Sequence, residues 1–208
     1  RIGDNMKFTA GDETDMLLNK AIYHEFCRCQ DAFGTFKRIG EVMIMKGNSP
    51  EIAYFAYNSY TSFLHHLYEM SVAVRHRQLG DTSPSLKGTK FKKQHERHDA
   101  YFNSLAQRIM DRYAHNIKKG IAPSWVNDLS YYEVTVPEKF GQDFRHIRNK
   151  TLAHVDARRV RDYDLTDFYS KYHKFVYEIY RDQLSIYGSS ERNYDFEQVT
   201  KFSLAINR

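Results

Sequence analysis

Across 208 residues the chain carries 31 Lys and Arg against 26 Asp and Glu, a formal net charge of +5. At 41% hydrophobic and 15% aromatic residues it is too apolar for a disordered chain, and its length suits one cored domain better than two. No run reaches the roughly eighteen uninterrupted apolar residues of a membrane span, and the start lacks a signal-peptide core, so a cytoplasmic protein without a membrane partner is expected.

Arg1-Ile2-Gly3-Asp4-Asn5 precede Met6 and are read as extraneous, which leaves a single expected domain over 6–208. Ile22, Phe26, Cys29, Phe33, Phe36, Gly40 and Met43 follow at steps of four and three. That rhythm predicts a long amphipathic helix over about 12–46. Gly34 and Gly40 are each costly inside a helix, so a bend or a close helix contact is expected there. Cys27 and Cys29, one residue apart, are badly placed to bridge and are read as small packed groups in a reducing compartment. Gly47-Asn48 ends the helix, and Ser49-Pro50 supplies an N-cap and a first helical residue that needs no N–H partner.

The second helix, about 50–79, carries Ile52, Ala56, Ser59, Phe63, Leu67, Met70 and Val74 on one stripe. Tyr54, Tyr57, Tyr60 and Tyr68 widen its apolar side while keeping hydroxyls that need partners. His65-His66 and Glu69 resemble a ligand set, but adjacent residues diverge by about 100° on a helix, and no metal is assigned to them. Residues 80–93, with Gly, Ser, Pro and four lysines, read as a solvated loop. A third helix over about 94–119 rests on Phe102, Leu105, Ile109, Tyr113 and Ile117. Its His95 and His98 lack a third ligand, so no metal is expected there either. Residues 120–136 form a long connector whose Trp125, Tyr131, Tyr132 and Val134 predict that it packs, with its last residues briefly extended.

Pro137 opens the fourth predicted helix, about 137–159, where the chain's charge concentrates. Residues 139–161 hold Lys139, Arg145, Arg148, Lys150, Arg158, Arg159 and Arg161 against Asp143 and Asp156. That surplus of five equals the net charge of the whole chain. A concentrated positive field attracts phosphates and speeds encounter with a polyanion. On a helix, Phe140, Phe144, Ile147, Thr151 and His154 form one apolar stripe, while Leu152 and Val155 lie on another side in line with Arg148. A helix apolar on two sides usually has two partners, its own core and a second subunit among them. Arg148 and His154 stand about 120° apart on an ideal helix, so either the helix ends between them or a second chain completes the site. A fifth helix over about 165–187 carries Leu165, Phe168, Tyr172, Phe175, Ile179 and Ile186. The tail, 189–208, has a short helix around Phe196, Val199, Phe202 and Ile206. The expected fold is all-α: five main helices, mostly antiparallel, with one long connector before the fourth.

The string Arg148-Asn149-Lys150, Ala153-His154, Asp156 resembles the Arg, polar, four-to-six-residue gap, His signature of HEPN domains, in particular their abortive-infection branch. A second Arg-to-His spacing, Arg108 to His115, has apolar Ile109 where the family wants a polar residue. HEPN domains are helical bundles of prokaryotic toxins and abortive-infection proteins. The resemblance implies an RNA-cutting toxin or antiphage protein, a homodimer with a composite cleft, and a restraining antitoxin or regulatory partner.

On the residues alone, Arg, Asn and His without a carboxylate cluster point to RNA cleavage that needs neither metal nor cofactor. His154 would act as general acid or base on the 2′-OH, and Arg148 would grip phosphate oxygens and neutralise developing charge. Asn149 would orient the histidine or the phosphate. Arg145, Lys150, Arg158 and Arg159 are the expected RNA backbone contacts. Asp156 is given no role. Two other readings stay open: an inactive HEPN-like dimer that binds RNA or nucleotide, and a helical adaptor that recognises a protein.

Overall fold

A computed structural model describes residues 7–82, 89–153, 164–188, 192 and 196–206, with the backbone alone at 89–91, 152 and 153. Among the described residues the chain is helical and contains no strand. The helices are α1 (Glu13–Lys46), α2 (Pro50–Leu79), α3 (Thr89–Lys118), the single turn α4 (Leu129–Tyr132), α5 (Phe140–Arg148), α6 (Leu165–Tyr187) and α7 (Glu197–Ile206). A π-helical turn, Asn149–Ala153, follows α5 without a break.

Local chemistry sets the ends of the first two helices. Asp12 caps α1 by accepting from the Asp15 N–H, and Ser49 caps α2 by accepting from the Ile52 N–H. Gly47 and Gly80, both at positive φ, stop them. The two helices run antiparallel, because Asp15 meets Arg77, Glu25 meets His66, and Phe36 meets Tyr60. At the open end of this hairpin Asp15 is buried and accepts from Arg77 Nε (2.6 Å), Arg77 Nη2 (3.0 Å) and the Gly11 N–H (2.9 Å). The Arg77 hydrogen bond, seconded by Gly11, holds its carboxyl down at about 2.

Two aromatic centres fill the bundle. Phe33, Tyr60, Phe63 and Tyr180 join α1, α2 and α6, while Tyr68, Phe102, Phe140, Phe144 and Phe168 join α2, α3, α5 and α6. The predicted stripes land in these centres, with Phe63, Leu67 and Met70 fully buried, and with Phe102, Phe140, Phe144 and Ile179 likewise. Ile186 departs from its stripe: in the last turn of α6, where Leu184 and Tyr187 pack on the core, it is 59% exposed. Cys27 and Cys29 are both buried thiols. Of the four α2 tyrosines, Tyr60 shares a 2.9 Å hydrogen bond with His173 Nδ1 while Tyr54 is exposed; on α6, Tyr172 donates to Asp143.

Several sequence expectations shift. Seven helices are described: α7 is the short helix expected in the tail, while the single turn α4 forms inside the connector, where none was expected. α3 begins at Thr89, inside the stretch read as loop; 83–88 lie outside the described residues. The connector packs through Tyr132 and Val136, but its end forms no strand. Instead Gln107 bridges it, accepting from the Val136 N–H at 2.8 Å and donating to the Val134 carbonyl at 3.2 Å. A side-chain amide thus supplies both bonds a neighbouring strand would offer. Trp125 is 61% exposed, with the Arg181 guanidinium 4.4 Å over its ring. Neither Gly34 nor Gly40 makes a close helix contact. The tight glycine is Gly141 on α5: a Cβ built there would meet the Asp99 carbonyl oxygen of α3 at 2.1 Å.

Two half-buried histidines give the fold a pH signature. Burial holds His173 at about 4, and burial with the neighbouring His76 and His95 charges does the same for His98. Their folded pKa values lie below the ordinary value of about 6.5, so the unfolded chain takes up protons first as pH falls. The stability they contribute is complete above pH ~6.5 and drains away toward pH ~4. Urea midpoints measured between pH 7 and 4 should fall through that window, with a shallower slope in His173→Gln. A flat profile in the native chain would contradict the assignment.

Candidate functional site

α5 starts from a turn in which Pro137 accepts from the Phe140 N–H, and it buries Phe140, Phe144 and Ile147 on one side. Thr151 continues that buried stripe. Its hydroxyl donates to the Ile147 carbonyl at 2.7 Å, occupying the acceptor that its own backbone N–H would use in a regular helix. At this point the winding widens into the π turn Asn149–Ala153. Among the described residues the predicted helix over 137–159 is an α-helix, Phe140–Arg148, followed by a π turn, and 154–159 lie outside them. The α-helix thus ends between Arg148 and position 154, the first of the two expected alternatives.

Arg148 stands at that junction. Its guanidinium carbon lies 5.3 Å from the centre of the Tyr68 ring, Nη1 donates to Asn149 Oδ1 at 2.5 Å, and Nη2 forms an ion pair with Glu69. Nε is buried without a hydrogen-bond partner among the described residues. Burial lowers the pKa of this group, yet a guanidinium remains charged at any working pH. The result is a half-buried cation, held by an aromatic face, an amide and a carboxylate, whose buried Nε–H has no partner among the described residues.

The other candidates fare differently. Arg145 donates from Nε and Nη2 to the two Asp99 oxygens, both at 2.8 Å, a bidentate pair that ties α5 to α3. The expected RNA contact is thus committed to the bundle, and phosphate would have to break this pair to reach those donors. Asn149 is engaged with Arg148, and Lys150 lies on the π turn. His154, Asp156, Arg158 and Arg159 lie outside the described residues. The positive surplus is also not uniform around α5. Asp143, Asp164 and Asp167 line a groove with His146, Phe168 and Tyr172 where α5 meets the start of α6.

Tyr68 and Glu25 are the neighbours that sequence spacing did not bring to His65, His66 and Glu69. His65 and Glu69, four apart on α2, share a face, and Arg148 acts electrostatically on His65. Burial first, then Arg148, holds the His65 pKa below the ordinary value. Glu25 of α1 binds His66 Nδ1 at 2.6 Å. The antiparallel register of α1 on α2 was the only available signal for that partner, since forty residues separate the two.

Comparison with protein-family models, with curated proteins and with solved structures finds no match for this chain.

Proposed function

We propose that the protein is a metal-independent endoribonuclease of a toxin or antiphage system, with a HEPN-like bundle as its scaffold. Arg148 grips the scissile phosphate and stabilises its developing charge, Asn149 orients the guanidinium, and His154 moves the 2′-OH proton. Attack of the 2′-oxygen on phosphorus then leaves a cyclic phosphate and a 5′-hydroxyl end. The acting unit is a homodimer whose two motifs share one cleft, restrained by a partner protein or an unmet signal.

The observation that supports this reading best is the setting of Arg148: bonded to Asn149 and packed on Tyr68, with a carboxylate oxygen already on Nη2. A phosphate would present the same kind of oxyanion to the same edge. Glu69 therefore competes with RNA for the guanidinium, and the state described is a restrained one.

The test is incubation of RNA with the native chain, Arg148→Ala and His154→Ala in excess chelator. Cleavage that survives chelation and is lost in both variants supports the enzyme. Salt-sensitive binding without cleavage turns the reading to an RNA-binding dimer.

A further inference from the structure

We propose that Glu25, His65 and His66 form a site for one divalent transition ion of the Zn²⁺ class, at the seam between α1 and α2. One ligand atom from each residue lies within 4.8 Å of those from the other two. Adjacent residues on a helix diverge, yet the two imidazole rings stand 5.3 Å apart at 77°. Glu25, from the facing helix, closes the set. Its Oε1 lies 2.6 Å from His66 Nδ1, with a proton between them. An ion taken up here displaces that proton to solvent, and the two atoms move apart to flank the metal. His65 Nδ1 is buried with no hydrogen-bond partner among the described residues. A buried nitrogen left unpaired carries its full desolvation penalty, which coordination would remove.

Chemistry selects the ion. Two imidazoles and one carboxylate suit Zn²⁺ with a water in the fourth position, whereas Mg²⁺ and Ca²⁺ prefer oxygen ligands. Charge permits it. Arg28 lies 3.6 Å from Glu25 Oε2, and Arg148 acts on His65 from the other side, but Glu25 and Glu69 offset these two cations. The ion would pin α1 to α2 beside Arg148. It is asked to do nothing in phosphodiester chemistry, and the inference does not rest on the ribonuclease reading.

The experiment strips the full chain with chelator, then titrates it with Zn²⁺ by calorimetry and thermal unfolding, with Co²⁺ as an absorbing substitute. One ion should bind per chain and raise Tm by about 5–10 °C at a hundredfold excess over Kd. Co²⁺ should give the intense visible bands of a tetrahedral site. His65→Asn and Glu25→Gln should each weaken binding at least tenfold, while His115→Asn, on the exposed side of α3, should bind like the native chain. His65 makes no hydrogen bond among the described residues, so His65→Asn separates ion binding from folding, as the Tm of the stripped variant will report. Absence of one-to-one binding in the native chain, or equal binding in both ligand variants, overturns the proposal. RNA cleavage by the stripped chain is scored separately, so either reading can fail without the other.

Discussion

Gly141→Ala should lower the thermal midpoint, unlike the same change at the other helical glycines, Gly34 and Gly40. The ideal Cβ falls 2.1 Å from the Asp99 carbonyl oxygen and 2.8 Å from the Asp99 carbonyl carbon and Cα, all backbone atoms that cannot swing aside. Relief requires moving α5 off α3 as a unit. That movement strains three bonds of the contact: Gly141 N–H to Asn103 Oδ1 (2.7 Å), Asn103 Nδ2 to the Glu138 carbonyl (2.6 Å), and the Arg145–Asp99 pair. It also opens the packing of Phe102 on Phe144. Overpacking of this kind costs about 3 kcal/mol, which for a domain of this size lowers Tm by about 6–12 °C. Alanine is otherwise the better helix former, so the same change at Gly34, where the nearest atom is the tip of Arg38 at 3.7 Å, should stabilise slightly. A Gly141→Ala midpoint at or above the native value would refute the close approach.

The contrast between those two glycines marks where the sequence stops being informative. Both fall inside helices expected from the sequence, but a structural reason for the glycine is expected only at Gly34 and Gly40. Which one faces a neighbouring backbone depends on how α3 and α5 cross, and no local pattern encodes that. The stripes were legible because burial repeats with the helical period: Phe140, Phe144, Ile147 and Thr151 stand where the spacing put them. The caps at Gly47 and Ser49 were legible because they are chemistry between near neighbours. The end of α5 at Arg148 was not. It coincides with a hydrogen bond from the Thr151 hydroxyl to the Ile147 carbonyl, which the same residue type forgoes in many other helices.

The site divides along the same line. Arg148 and Asn149 were singled out by type and order, and they are bonded to each other. Glu69 was seen but set aside with its histidines, because the argument against a ligand set considered α2 alone. Tertiary packing supplies what was missing from both sides: Arg148 from α5 gives Glu69 a counter-ion, and Glu25 from α1 gives His66 a carboxylate. Arg145 was read from its charge alone, and two of its donors are paired with Asp99, 46 residues away.

Under the ribonuclease reading, three changes at one contact give the sharpest functional test. Arg148→Ala should reduce kcat/KM for RNA by about 10²–10³, the usual consequence of removing a donor aimed at transition-state charge. Arg148→Lys should recover little of that loss, because an ammonium keeps the charge but not the planar fork that can hold Asn149 and a phosphate together. Glu69→Gln should do the reverse. Removing the competing carboxylate frees Nη2 for RNA, so binding should tighten by about tenfold and become more salt-dependent. The opposite signs matter, because damage to the fold would depress all three variants together. The Tyr68 ring supports the guanidinium from one side, so Tyr68→Leu should weaken RNA cleavage less than Arg148→Ala while costing more stability. If Arg148→Lys cleaves like the native chain, or Glu69→Gln binds RNA more weakly, Arg148 is holding the bundle together and not gripping a phosphate.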